Sequence, residues 1–386
     1  AFTSSLGGGF YWPYVNIYAV ELGASYSEIG LVSAISNASP TVFQPLWGFL
    51  SDRLMKRRIF ILLGYLLAGF IVFFYVYAKD PIMYAILLAL SMISLSAATP
   101  AWNSYIGSFF KKHERARGIG KINGIGFAGT ILGAIISGFL MTMVIGEIPF
   151  LQYRFSFTVA SLLFIITGLL ALNIRDPTNA GNGYSLETIV ASVKKNSYFQ
   201  KLLLAESLWS FSMSIAWPMF SAGYIYKFHA KKLEIAMSNI FFNVAFMLSQ
   251  LYLSFLADVY GRKKAIAYSR FIFPIYPLMW YVAWRIEIVY IANFVVGLAN
   301  AVSTVAIFAY ILDVTEEEER ASYFAIYNMI LGISQFMGSY IGGLIGDYFR
   351  SVLGIIPALH IVFLISSFLR LLTAIPYLFL KETLTP

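Results

Sequence analysis

The chain has 386 residues, of which 59% are hydrophobic and only 12% charged, whereas ordinary soluble domains carry about 25% charged residues; an ordinary soluble domain is thereby excluded. The formal net charge of +8 falls between long apolar runs, where it reads as membrane orientation and not as a nucleic-acid surface. There is no cysteine, and the three histidines, His113, His229 and His360, are scattered, so disulfide and thiol chemistry are absent and no metal cluster is legible.

In chain order, twelve apolar runs lie near residues 1–21, 26–50, 58–78, 82–109, 117–145, 152–173, 201–227, 233–256, 264–284, 287–312, 321–346 and 353–380. Runs of roughly 20 residues cross a hydrocarbon core about 30 Å thick as helices, because lipid leaves no partner for unpaired backbone groups. An all-α membrane protein with twelve transmembrane helices in two pseudo-symmetric six-helix bundles is expected. The bundles should occupy 1–173 and 201–386, with 174–200 as a linker. That linker carries the breaker Asp176-Pro177 and a short amphipathic helix near Leu186 to Lys195. With the loop at Asp52 in the cytoplasm, eighteen Lys and Arg residues share its side and seven lie opposite. Both termini are therefore expected in the cytoplasm of a multi-pass cell-membrane protein. The chain enters an apolar run directly at Ala1, so residues are expected to precede it in the native protein, and no cleavable signal peptide is seen.

The halves repeat one another. Gly48, Asp52, Arg53, Lys56 and Arg57 follow the second span, and Asp258, Gly261, Arg262 and Lys263 follow the eighth. Glu114-Arg115-Ala116 returns as Glu319-Arg320-Ala321, Trp12-Pro13 as Trp217-Pro218, and Asn37 with Gln44 as Asn243 with Gln250. Gly129 and Gly133 in the fifth span, and Gly338, Gly342 and Gly346 in the eleventh, have the small-residue spacing that lets helix backbones approach closely; Gly120 and Gly124 share it. Pro13 and Pro218 are expected to kink their helices at mid-depth.

On these residues the chain resembles the major facilitator superfamily over its whole length. The resemblance rests on the family motif Gly-x-x-x-Asp-Arg-x-Gly-Arg-Arg/Lys, met twice and imperfectly: Met55 replaces the second glycine of the first copy and Ser254 the first glycine of the second. It implies two six-helix repeats with a site near the bilayer midplane. It further implies a cytoplasmic gate built from Gly48, Asp52, Arg53, Arg57, Arg115, Asp258, Gly261, Arg262 and Arg320. A carboxylate there can meet a helix amino terminus or an arginine. The alternative is that the basic residues only anchor topology.

Spans one, four, seven and ten line the site in the family, and here each carries a polar or aromatic stripe. The candidate substrate residues are Trp12, Asn16, Asn103, Trp217 and Asn300, followed by Asn37, Gln44, Asn243 and Gln250; the competing role for such amides is glue between helices. Intramembrane charges are functional candidates. Glu206 is the first candidate for proton coupling, with Asp313 and Arg370, and a structural pair of Arg370 with Glu206 or Asp313 is the other reading. The expected function is a secondary transporter of a small organic solute working by alternating access, with protons as a possible co-substrate and lipid as its surroundings. A monomer without cofactor is expected. A multidrug exporter and a non-transporting membrane sensor or scaffold are the alternatives. The exporter is weakened because no basic residue stands in the fourth span before Lys111 and no proline in the fifth. No nucleophile–base pair or phosphate-cradling loop is legible, so an enzyme is not expected.

Overall fold

The computed structural model describes residues 1–54, 56–109, 115–146, 148, 150–174, 196–253, 256–316 and 320–383. The linker helix expected near Leu186 to Lys195 lies outside the described residues. The first half contains α1 (Phe2–Tyr11), α2 (Val15–Glu21), α3 (Tyr26–Leu54), α4 (Arg57–Phe73), α5 (Pro81–Phe109), α6 (Arg115–Phe139) and α7 (Leu151–Leu170). The second contains α8 (Ser197–Ser214), α9 (Trp217–Ala222), α10 (Lys232–Tyr252), α11 (Leu256–Val259), α12 (Arg262–Ile272), α13 (Ile275–Val282), α14 (Ile286–Asp313), α15 (Arg320–Leu353) and α16 (Ile355–Ala374). Short 3₁₀ or π turns extend α4, α6, α7, α9 and α16. These helices fall into the twelve runs read from hydropathy, and no strand occurs among the described residues.

Eight of the runs contain unbroken helices long and apolar enough to cross a membrane. The other four have local reasons for falling short. Proline has no amide hydrogen and breaks the helical ladder. Pro13 separates α1 from α2, Pro218 opens α9 just past the end of α8, and Pro274 separates α12 from α13. The fourth, α3, is continuous over 29 residues but carries Pro40 and Pro45, and its Ser and Asn residues dilute its hydropathy. The kinks expected at Pro13 and Pro218 are thus complete breaks.

Carbonyls exposed at a break need donors, since unpaired polar groups are costly in an apolar interior. At the break in the first span, Ser156 Oγ donates to Phe10 O at 2.5 Å and Ser137 Oγ to Gly9 O at 3.4 Å. In the second half α16 supplies the donors for two breaks at once. Ser366 Oγ reaches Ser212 O (3.1 Å) and Arg370 Nη2 reaches Met213 O (2.8 Å) in the last turn of α8. Ser367 Oγ reaches Pro274 O (2.8 Å) and Arg370 Nη1 reaches Phe273 O (3.3 Å) between α12 and α13.

The chain divides into two compact units. The first comprises Ala1–Ala24, Ile35–Gly183 and Lys231–Met237; the second comprises Ser25–Ala34, Tyr184–Ala230 and Ser238–Pro386. The opening turns of α3 and α10 therefore belong to units other than those of their sequence halves.

In the first unit α6 lies against α1, and α4 against α5 and α7. Glycines allow the first of these contacts: a Cβ on Gly9 would run into Thr130 O, and one on Gly133 into Leu6 O. Gly129 faces Phe2 O in the same way. Gly124, by contrast, faces open space, so its place in the small-residue spacing does not translate into a contact. Lys232, at the start of α10, bonds Glu21 at 2.7 Å and lies 4.8 Å from the Tyr153 ring centroid.

In the second unit α15 packs on α8, with Gly338 against Phe211 O and Gly342 against Ile215 O. The Asp347 carboxylate accepts from the Tyr26 and Ser27 amides at 2.7 and 2.8 Å. It thereby caps the amino terminus of α3, where a negative charge is favoured.

Candidate functional site

The sequence candidates for substrate contact separate by their surroundings. In the first unit Trp12 stands at the helix break and is 48% exposed. Four residues on, Asn16 Oδ1 is buried and has no donor among the described residues. Asn37 and Gln44 are half-buried on α3. The side chain of Asn103 lies outside the described residues.

In the second unit Trp217 is half-buried at the first residue of α9. Asn243 is tied into its own helix, with Nδ2 donating to Asn239 O at 2.8 Å. Gln250 is exposed near the end of α10, and Asn300 is half-buried, its carbonyl accepting from Thr304 Oγ1 at 2.7 Å. A fully engaged amide is Asn293, which donates to Ser238 Oγ and Val289 O and accepts from Tyr276. It joins α10, α13 and α14, which is the glue role.

The intramembrane charges are arranged differently from the pairs expected. Glu206 bonds Arg270, not Arg370: Arg270 Nη2 donates to Glu206 Oε1 at 2.7 Å, and both side chains are almost wholly buried. Tyr377 OH donates to the same oxygen at 2.6 Å and Tyr327 OH to Oε2 at 3.0 Å. The Arg270 guanidinium also lies 4.6 Å from the Trp209 ring centroid, within cation–π range. One carboxylate thus gathers donors from α12, α15 and the 3₁₀ turn after α16 onto α8. Arg370 is 1% exposed and is held by the two carbonyls described above, with no carboxylate partner among the described residues. The separation of α12 from α13 explains the choice. Arg270, four residues before Pro274, turns toward α8, while α16 presents Arg370 to the freed carbonyls.

Asp313 lies at the end of its span, where the sequence reading put it. It ends α14, is about a third exposed, and meets Arg262 Nε at 3.5 Å and Thr383 Oγ1 at 2.8 Å.

Most of the second-half residues expected at the gate are described. Gly261 adopts φ 94°, a region favouring glycine, and a Cβ there would collide with Glu382. Glu382 Oε1 then accepts from the Arg262 amide at 2.8 Å, capping α12. Arg320 Nη2 reaches Leu312 O at 3.4 Å, at the carboxy-terminal end of α14 where a cation is favoured. In the first half a Cβ added at Gly48 would meet Pro100 only at ordinary contact distance, Arg53 is exposed and Arg57 is half-buried. Asp52 and Asp258 lie on α3 and α11 and Arg115 starts α6, but their side chains lie outside the described residues. Glu382, Glu21 and Asp347 are carboxylates that sequence reasoning did not single out, and only the distant groups they meet distinguish them.

Two pseudo-repeated helical units and a broken span in each at the same Trp-Pro pair define a polytopic membrane transporter fold. The Major Facilitator Superfamily profile matches residues 1–209 and 202–386, and the chain belongs to that family. It is 21% identical over 380 residues to an uncharacterized MFS-type transporter of Methanocaldococcus jannaschii, covering 94% of this chain and 92% of that one. It is 27% identical over 176 residues to the quinolone resistance protein NorA of Staphylococcus aureus, covering 46% of this chain and 44% of that one. Among solved structures, the nucleoside transporter NupG superposes with a TM-score of 0.77 at 14% identity, covering 98% of this chain and 96% of that one. A bacterial homolog of the human lysosomal transporter Spinster gives 0.73 at 13% identity, covering 98% and 95%. At such identities the two structures speak for the fold.

Proposed function

We propose that the chain is a secondary transporter that moves a small organic solute without net positive charge across a cell membrane by alternating access. The observation that carries this reading is the break at Trp12-Pro13. It leaves a half-exposed indole, Trp12, four residues before Asn16, whose buried Oδ1 has no donor among the described residues, on the span that the family uses for substrate. Discontinuous helices with unwound backbone are the common material of transporter sites. A solute with a flat face and a hydrogen-bond donor suits these two groups. A cationic solute is disfavoured because Glu206 already has its own arginine. We read Glu206 as a brace between helices, with its lone pairs committed to Arg270, Tyr327 and Tyr377. Both termini are assigned to the cytoplasm by the distribution of basic residues.

The test is thermal stability of the purified chain against sugars, nucleosides, amino acids, organic acids and lipophilic drugs. A solute present at 100 times its dissociation constant adds about 2.7 kcal/mol to the folded state. One chemical class should give the shift, and Trp12→Ala or Trp217→Ala should lower affinity about tenfold or more without loss of folded yield, the size of one buried aromatic contact. Equal affinity in both variants would remove these tryptophans from the site. A second reading, a multidrug exporter, is favoured by the similarity to NorA; shifts from many unrelated lipophiles would establish it instead.

Asp52 and Asp258 are proposed to close the cytoplasmic gate, with Arg262, Asp313, Arg320 and Glu382 around the second. The double variant Asp52→Asn with Asp258→Asn is expected to reduce flux of the identified solute in proteoliposomes at unchanged folded yield. Unchanged flux would refute the gate.

A further inference from the structure

At the end of the second unit opposite the Asp258 loop, three elements are fastened by one cation. Lys227 ends the π turn Gly223–Lys227 that prolongs α9. Its Nζ donates to Trp280 O at 2.7 Å and to Tyr281 O at 2.9 Å, two carbonyls in the last turn of α13. These carbonyls have no amide above them, and an ammonium at a helix carboxy terminus is favoured both as donor and as charge. The third contact is to His360 Nε2 on α16, at 3.1 Å. An ammonium offers only donors, so this contact exists only while His360 Nε2 keeps its lone pair, that is, while the imidazole is neutral.

The geometry points to His360 as a proton-binding site that releases the outer segment of the seventh span. We propose that protonation from the side opposite the Asp258 loop places two cations about one hydrogen bond apart. Lys227 is thereby driven off the α13 carbonyls, and residues 217–230 are freed from α13 and α16. The sign follows from the lone pair: the fastening is complete while the imidazole is neutral and is lost as pH falls and the imidazole takes up a proton.

The groups facing His360 leave no competing explanation among the described residues. From α13 the Tyr281 ring lies against it edge-on at 5.0 Å between centroids, and from the π turn comes Lys227. On α15, which also packs on α16, Asp347 is committed to the Tyr26 and Ser27 amides, and Arg350 lies over the Tyr26 ring. Among the described residues no carboxylate bonds His360 or Lys227. The moving segment begins at Trp217, so outer acidity would reposition a candidate substrate residue; that consequence rests on the transporter reading, whereas the release itself does not.

The test is hydrogen exchange of the full chain in lipid nanodiscs at pH 5.0 and pH 7.5, with exchange times scaled for the intrinsic pH dependence of amide exchange. Peptides from residues 217–230 are expected to exchange about tenfold faster at pH 5.0, the size of one lost charge-assisted hydrogen bond. Peptides from α14 should not change. His360→Gln, whose amide oxygen still accepts from Lys227 at every pH, should abolish the difference and stay protected. Lys227→Met should exchange fast at both values. A wild-type segment indifferent to pH, or a pH response surviving in either variant, would overturn the proposal. Exchange requires no solute, so failure here is distinct from failure of a solute to cross.

Discussion

Glu206→Ala is expected to be the most damaging single substitution in the second half. It leaves the Arg270 guanidinium, 5% exposed, without its carboxylate, and breaking a buried pair from one side typically costs about 3–5 kcal/mol. The hydroxyls of Tyr327 and Tyr377 lose their acceptor at the same time. Four helical runs would loosen together, so the loss should appear as reduced monodisperse yield and a lower melting temperature.

The informative companion is Glu206→Leu with Arg270→Met, which removes both charges and fills the space with apolar groups. Such exchanges are often neutral or stabilising for buried pairs, so the double variant should recover most of the stability that Glu206→Ala loses. If Glu206→Ala melts like the unaltered chain, the brace reading is wrong. If it folds but no longer responds to pH in transport, Glu206 belongs to proton coupling instead.

Gly342→Ala is expected to have the second-largest effect. An added Cβ would run into the Ile215 carbonyl, which is backbone at the break between α8 and α9 and cannot rotate away as a side chain would. The helices must separate, and the overpacking cost is about 1–3 kcal/mol or more. Separation would also disturb the neighbouring contact of Gly338 with Phe211 O. Gly124→Ala is the control: a Cβ there meets nothing within 4 Å. Replacing glycine by alanine in a helix interior is otherwise favourable by about 1 kcal/mol. A chain equally stable with either alanine would remove the close approach of α15 to α8 as a determinant of the fold.

These two cases show what was legible beforehand and what was not. Gly342 was marked by its spacing, four residues from Gly338 and four from Gly346, because small residues on one helical face have a packing meaning in membranes whatever the partner. The partner helix was not marked. Glu206 was recognisable as an anomaly, a carboxylate inside an apolar run, but two arginines, Arg270 and Arg370, were equally available to it in the sequence. Asp313 was placed at the end of its span, and α14 does end there; its partner Arg262 was not marked. Of the substrate candidates, the sequence had placed Trp12 and Trp217 correctly at helix breaks, since proline acts on its own chain.

The amino-acid sequence by itself determined the twelve helical runs, their repeat and the interruptions at Pro13 and Pro218. The reason is that lipid obliges each crossing segment to satisfy its backbone within its own helix, and proline withdraws from that bonding locally. The tertiary structure alone decided which charges meet: Glu206 with Arg270, Glu21 with Lys232, Glu382 with the Arg262 amide, and Asp347 with the head of α3. It also decided that the opening turns of α3 and α10 join units other than those of their sequence halves. These outcomes depend on the rotation of each helix about its axis and on which helices become neighbours. Both are set by contacts between residues 64 to 321 positions apart, for which no local pattern exists.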